Sequence, residues 1–360
     1  MTVGNYSIHS DVIREDLELS VGSSSIDWEL IDGATIVIAG ATGMIASFLI
    51  DTLLYAKYTG RINDVNIVAI CRDELKARAR FGPNFNLKEM QFIFRDITDS
   101  LIDLNASDYI IHAASHVGPM YYKTNPIGIL DANIIGTKNM LELAKKSEAK
   151  SFLYISSCEV YGIIPPDVDS VRESDFCHSP LMSERSCYGD GKRAGEAMCY
   201  SYFVQHGIPV RSARFSQTYG PFMDLNSGIA SADFISSVLR RENITVRSRG
   251  FFRTFCYVSD AVTGILAILL RGKSGEAYNI GNAHQVYDIL EIARIIAALF
   301  PEKGVQVISE GTPEQVASRV VPDTSKLESL GWLPKIAVDS GFRRSIEFFE
   351  KFAKDSQCPA

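Results

Sequence analysis

The chain has 360 residues, 46% of them apolar and 22% charged, with a formal charge of −7. That balance suits a globular enzyme with a large core, and its acidity excludes a nucleic-acid partner held by charge. Seven scattered cysteines without a Cys-x-x-Cys pair and six dispersed histidines give no support to a disulfide framework or a metal cluster, and they point to a reducing cytoplasm.

Residues 1–31 read as a polar extension with one short helix near 13–19 and a break at 20–25. No signal-peptide pattern is present. The longest late apolar stretch, 261–270, is far short of the roughly 20 residues that span a bilayer, so no membrane partner is expected.

The first strong element is Thr35-Ile-Val-Ile-Ala39, a β-branched run that predicts a buried parallel strand. It leads into Gly40-Ala-Thr42-Gly43-Met44-Ile45-Ala46 and an apolar-periodic helix. Strand, glycine turn and helix in that order form a dinucleotide fingerprint. Gly40 permits the turn, Gly43 lets the backbone approach the pyrophosphate, and Thr42, Met44 and Ile45 line the helix start. Ala46 holds the third glycine position.

Further strands are predicted at 66–70, 90–95, 109–112, 151–156 and 210–215, alternating with helices at 75–80, 127–147, 188–206 and 230–241. This alternation predicts an α/β Rossmann fold, a doubly wound parallel sheet. From about 217 the pattern loosens into strands at 244–247 and 251–258 and helices at 259–270 and 287–300, a smaller C-terminal α/β substrate lobe. The expected organisation is an extension over 1–31, a dinucleotide body over 32–216 with returning segments near 251–282, a lobe mainly over 217–352, and a tail at 353–360.

Where an acid would bind the ribose diol of NAD, the chain reads Ile70-Cys71-Arg72-Asp73. A guanidinium suits a 2′-phosphate, which favours NADP over NAD, although Arg72 could equally stack on adenine or pair with Asp73.

The chemistry-bearing segment is Cys187-Tyr188-Gly-Asp-Gly-Lys192-Arg193, preceded by Ser156-Ser157-Cys158-Glu159-Val160-Tyr161. Tyr188 and Lys192 at i and i+4 share one helix face, as would an ordinary surface pair. A free tyrosine titrates near 10, so a base working at pH 7 needs roughly 4 kcal/mol of preference for phenolate. A nearby ammonium is expected to supply part of it.

Together these residues resemble the extended short-chain dehydrogenase/reductase family, in its nucleotide-sugar epimerase, dehydratase and decarboxylase branch. The likeness runs from about 32 to 352. It includes Ile111-His-Ala113-Ala114-Ser115, Asn125-Pro126, Asn133-Ile-Ile-Gly-Thr137, Arg214 through Thr218-Tyr-Gly-Pro221, Arg253-Thr-Phe-Cys-Tyr-Val-Ser-Asp260, Tyr278-Asn-Ile-Gly-Asn282 and Leu330-Gly-Trp-Leu-Pro334. The resemblance implies tightly bound NAD or NADP, held by Ala113, Ala114, Ser115, Asp96, Ile97, Tyr188 and Lys192 beside the glycine turn. It implies a nucleotide-diphosphate sugar whose C4 hydroxyl is oxidised, with Tyr188 as base, Lys192 beside the ribose and Ser157 orienting the alcohol.

Glu159 and Arg253 match residues of UDP-glucuronate decarboxylases, the branch this chain resembles most. Cys158, Arg185, Gln217 and Arg319 complete the expected substrate set, with Arg253 and Arg319 on the diphosphate. Cys158 stands where dehydratases carry an acid, Gln217 where an Asn is usual, and one extra residue falls near Arg185. Alternatives are a 4-epimerase, a 4,6-dehydratase and a non-catalytic NADP-binding regulator. The resemblance also implies a homodimer through the long helices, where Met140, Leu143 and Ala144 form a stripe that an intrachain face would match equally.

Overall fold

The run Thr35–Ala39 forms strand β1, and its partners follow from parallel pairing on both edges. β2 (Asn66–Cys71) and β3 (Met90–Phe94) lie to one side; β4 (Tyr109–His112), β5 (Ser151–Ser157), β6 (Val210–Phe215) and β7 (Glu276–Ile280) lie to the other. The sheet order is β3-β2-β1-β4-β5-β6-β7, all parallel. The order reverses between β1 and β4, which opens a crevice at their carboxyl ends. The computed structural model describes residues 2–3, 6–105, 107–165, 167–247, 250–310 and 318–356.

Ile36, Val37, Ile38 and Ala39 are fully buried because helices cover both faces of the sheet. Helix α1 (Asp11–Val21) and α2 (Met44–Tyr58) join the core shared with the lobe, while α3 (Pro126–Ser147) and α4 (Ser186–His206) seal the opposite face. Met140, Leu143 and Ala144 belong to that second core, so the apolar stripe of α3 is an intrachain face. Gly195 lets α4 sit close: a Cβ there would stand 2.4 Å from the Tyr154 hydroxyl.

In the lobe, Phe251–Tyr257 pairs with Gln217–Tyr219, Val286–Asp288 and Ser318–Val320. Of the segments near 251–282, only Glu276–Ile280 joins the central sheet as a strand. The helix predicted over 287–300 begins at Ile289, because Asp288 caps it by accepting from the Leu290 N–H at 2.8 Å. The N-terminal segment is stitched into the molecule. Ile13 and Leu17 are fully buried, and Asp16 accepts from Tyr257 at 2.6 Å and Arg344 at 3.0 Å. The last helix, Val338–Ser356, runs past the predicted end at 352. Among the described residues, no helix is long and apolar enough to cross a membrane.

Candidate active site

The glycine turn is built for close approach. Gly40 has φ +77, and a Cβ there would stand 2.8 Å from the Ala113 backbone and from the Ala114 Cα. The Gly40 and Ala41 N–H groups donate to the Ile70 carbonyl at 2.9 and 3.1 Å, tying the turn to the end of β2. Helix α2 starts after Gly43 without a side-chain cap. Gly43 is exposed, Thr42, Met44 and Ile45 are half-buried, and Ala46 packs inward. Backbone N–H groups at such a helix start fit a pyrophosphate.

At the adenosine end, Cys71 is buried, and burial pushes its thiol up to about 11. A neutral thiol offers no carboxylate to a ribose diol. Arg72 reaches Asp96 at 3.4 Å and His116 Nε2 at 2.8 Å. Desolvation would raise Asp96, yet bonds from the Thr98 N–H and hydroxyl at 2.9 and 2.7 Å, with Arg72, hold it below the carboxylate range. Ile97 packs under Gly136. Ser115 accepts from Asn133 Nδ2 at 3.0 Å, and Asn133 Oδ1 accepts from the Tyr154 hydroxyl at 2.8 Å.

Strand β5 ends at Ser157, whose hydroxyl accepts from the Glu159 N–H at 3.2 Å and opens the short turn Cys158–Tyr161. Tyr188 stands in the first turn of α4, buried, with its ring stacked on Tyr122 at 5.5 Å and 25°. Burial pushes the phenol well up, while a hydrogen bond from Ser157 opposes that rise. Lys192 Nζ donates to the Ile155 carbonyl at 2.7 Å and lies 5.8 Å from the Tyr188 ring centre. Burial brings this ammonium down to about 7, against the pull of Glu196. The structure therefore joins Ser157, Tyr188 and Lys192 as expected. In the protein alone, however, desolvation outweighs the Ser157 hydrogen bond, and the phenol rises instead of falling.

On the substrate side, Glu159 accepts from Arg185 Nη2 at 2.6 Å. Arg253, lowered by burial, feels the charges of Glu159, which raises it, and of Arg185, which lowers it further. Three charges from separate segments thus influence one another beside the Cys158–Tyr161 turn. Cys158 instead enters a buried cluster with Val160, Tyr161, Ile164 and Val171, its thiol pushed far up by burial. Gln217 is half-buried on its short strand, opposite Phe255. Arg319 is opposite Phe252 and stacks over that ring at 5.5 Å, while donating to the Asp169 carbonyl at 2.9 Å. Side chains alternate along a strand, so Arg319 and Arg253 face opposite sides of this sheet. Tyr122 and His116 were not among the expected site residues; His116 lies in the loop after β4 and Tyr122 in the short helix Pro119–Thr124, too short to give a periodic signal.

Similarity to known proteins agrees with this geometry. Residues 36–281 match the NAD dependent epimerase/dehydratase family. The chain is 37% identical over 317 residues to UDP-glucuronic acid decarboxylase 6 of Arabidopsis thaliana, covering 87% of this chain and 88% of that one. It is 35% identical over 325 residues to UDP-glucuronic acid decarboxylase 1 of Xenopus tropicalis, covering 89% and 73%. Among solved structures, a UDP-glucose 4-epimerase of Thermotoga maritima superposes with a TM-score of 0.76 at 21% identity, covering 89% of this chain and 99% of that one. A UDP-glucuronic acid 4-epimerase of Bacillus cereus, in complex with UDP-glucuronic acid and NAD, gives 0.74 at 24%, covering 88% and 99%. These two likenesses establish the fold. With the glycine cradle and the Ser157–Tyr188–Lys192 group on the same crevice, the chain is a member of the NAD dependent epimerase/dehydratase family of extended short-chain dehydrogenase/reductase enzymes.

Proposed function

We propose that this enzyme decarboxylates a nucleotide-linked uronic acid, with UDP-glucuronate as the first substrate to test, through a 4-keto intermediate. The observation that carries the reading is the meeting of Glu159, Arg185 and Arg253 beside Ser157 and Tyr188. Two guanidinium groups near one carboxylate suit a sugar that carries both a diphosphate and a carboxylate. The curated relatives named above are UDP-glucuronic acid decarboxylases.

In this reading Tyr188 takes the proton from the C4 hydroxyl, which Ser157 orients. When bound, the oxidised dinucleotide supplies the hydride acceptor and a positive charge beside the phenol. The ketone at C4 makes the sugar acid a β-keto acid. Carbon dioxide leaves as the C5–C6 electron pair moves into a C4–C5 enolate, with Tyr188 holding its proton at O4. C5 then takes a proton from solvent, with Glu159 the carboxyl group on the Cys158–Tyr161 turn placed to relay it. Return of the hydride to C4 and of the Tyr188 proton to O4 would give the UDP-pentose. Dehydration fits less well, because the Cys158 thiol is buried and held far from acidity.

The cofactor is NADP in this reading, supported by the neutral thiol at Cys71 and the cations that follow it. The enzyme is read as cytoplasmic; the six described cysteines are free thiols, which suits a reducing compartment. A homodimer is supported by apolar side chains left exposed on α3 and α4, including Ile127 and Val204.

Mass analysis of products from a panel of UDP-, dTDP-, GDP- and CDP-sugars tests the assignment. Loss of carbon dioxide from a uronic acid is expected. Loss of water, or an isomer of unchanged mass, would replace this reading with dehydration or epimerisation.

A further inference from the structure

Arg72 and His116 come from different strands and meet across the crevice. Arg72 opens the turn after β2 and His116 lies four residues beyond β4, yet their Nη2 and Nε2 atoms are 2.8 Å apart. Between those strands lies β1 with its Gly40 turn, bonded to Ile70 on one side and pressed on Ala113 and Ala114 on the other. The contact therefore spans the switch point, over the place where a dinucleotide lies in this sheet order.

A guanidinium only donates, so Nε2 of His116 accepts here and the imidazole is neutral. Burial, Arg72 and Lys76 together hold His116 below its usual range. Cationic groups of the turn after β2 thus converge on a residue of the β4 turn. Two acids face this group. Asp96 accepts from Thr98 and, at 3.4 Å, from Arg72, and Asp224 accepts from the Tyr121 hydroxyl at 2.7 Å, while the Tyr121 ring stacks on His116 at 4.7 Å. A dianion placed between the two would take a donor from Arg72 in place of His116, and a second from His116 Nε2 once the negative charge draws a proton onto that nitrogen.

We propose that His116 is a specificity-determining residue, which closes with Arg72 on the 2′-phosphate of NADP. The inference rests on the NADP reading above and adds the β4 turn to it. His116 is half-buried and capped by Tyr121, so the ring is held for this contact without forming part of the core. Losing it removes one charge-assisted bond to the 2′-phosphate and nothing that the rest of the adenosine needs.

The test is calorimetric binding to the full-length protein stripped of nucleotide, with adenosine 2′,5′-bisphosphate compared with 5′-AMP. These probes differ only in the 2′-phosphate. The wild type should bind the bisphosphate at least about tenfold more tightly, and His116→Ala should lose about tenfold of that preference while its 5′-AMP affinity stays within about twofold. His116→Gln, which keeps one donor, should fall between them, and thermal melts of both variants check folding. If His116→Ala folds and keeps the full preference, the role of His116 is wrong while NADP stands. If the wild type shows no preference, the NADP reading fails, and this inference with it.

Discussion

Lys192 Nζ lies 5.8 Å from the centre of the Tyr188 ring and donates to the Ile155 carbonyl at 2.7 Å. Both groups are buried, and burial drives each toward its neutral form, the phenol up and the ammonium down to about 7. Two titrating groups this close share protons, so the useful quantity is the state of the pair. The productive form, phenolate with ammonium, holds the same number of protons as phenol with free amine.

That bookkeeping sets the pH dependence. The one-proton pair forms as pH rises through about 7, and a positively charged cofactor would move the step lower. The kcat/KM for the nucleotide sugar should therefore fall on acidification below about pH 7, because it reports the free enzyme. Lys192→Met should remove the low step and cost about a hundredfold or more in kcat. A kcat/KM that declines as pH rises between about 6 and 8 would contradict the pairing.

Gly40→Ala should abolish retention of the dinucleotide. Its Cβ would collide with the Ala113 backbone, and φ +77 is a conformation that alanine adopts at a cost of about 1–2 kcal/mol. Nucleotide released on denaturing equal amounts of wild type and variant measures this. A variant retaining wild-type cofactor would overturn the assignment of the turn.

Glu159→Gln keeps the size of the side chain and removes its charge. If Glu159 serves the decarboxylation step, kcat should drop by about a hundredfold with a small change in KM. A variant with raised KM and unchanged kcat would make Glu159 a binding group only.

The N-terminal segment has its own pH signature. Burial raises Asp16 from the ordinary 3.8 to about 7, against its bonds to Tyr257 and Arg344. The folded protein thus binds a proton that the unfolded chain has released, so this contribution is complete below about 3.8 and is lost as pH rises through about 7. Asp16→Asn should lose less stability than wild type between those limits, by roughly 4 kcal/mol at most at 1.36 kcal/mol per unit. Parallel denaturation curves at pH 5 and pH 8 would contradict it.

Much of this site was readable because its parts are local. Gly40 and Gly43 sit at fixed offsets after a β-branched run, and Tyr188 and Lys192 are one helical turn apart. What was not readable depends on distant pairings. The opposition of Arg253 and Arg319 needs the register of Phe252 against Arg319. The contact of His116 with Arg72 needs two strands, β2 and β4, placed around a third. The stripe of Met140, Leu143 and Ala144 suits an intrachain or an interchain face until the sheet covers it. The direction of the Tyr188 shift needs burial, which spacing does not report.

The most direct measurement is carbon dioxide release from UDP-glucuronate by wild type and by Tyr188→Phe, with nucleotide-sugar binding followed in parallel. Wild type should release carbon dioxide and form the UDP-pentose, while the phenylalanine variant binds normally and loses about a thousandfold in rate, within the range of a removed general base. Carbon dioxide released by both proteins at similar rates, or by neither, would contradict the account.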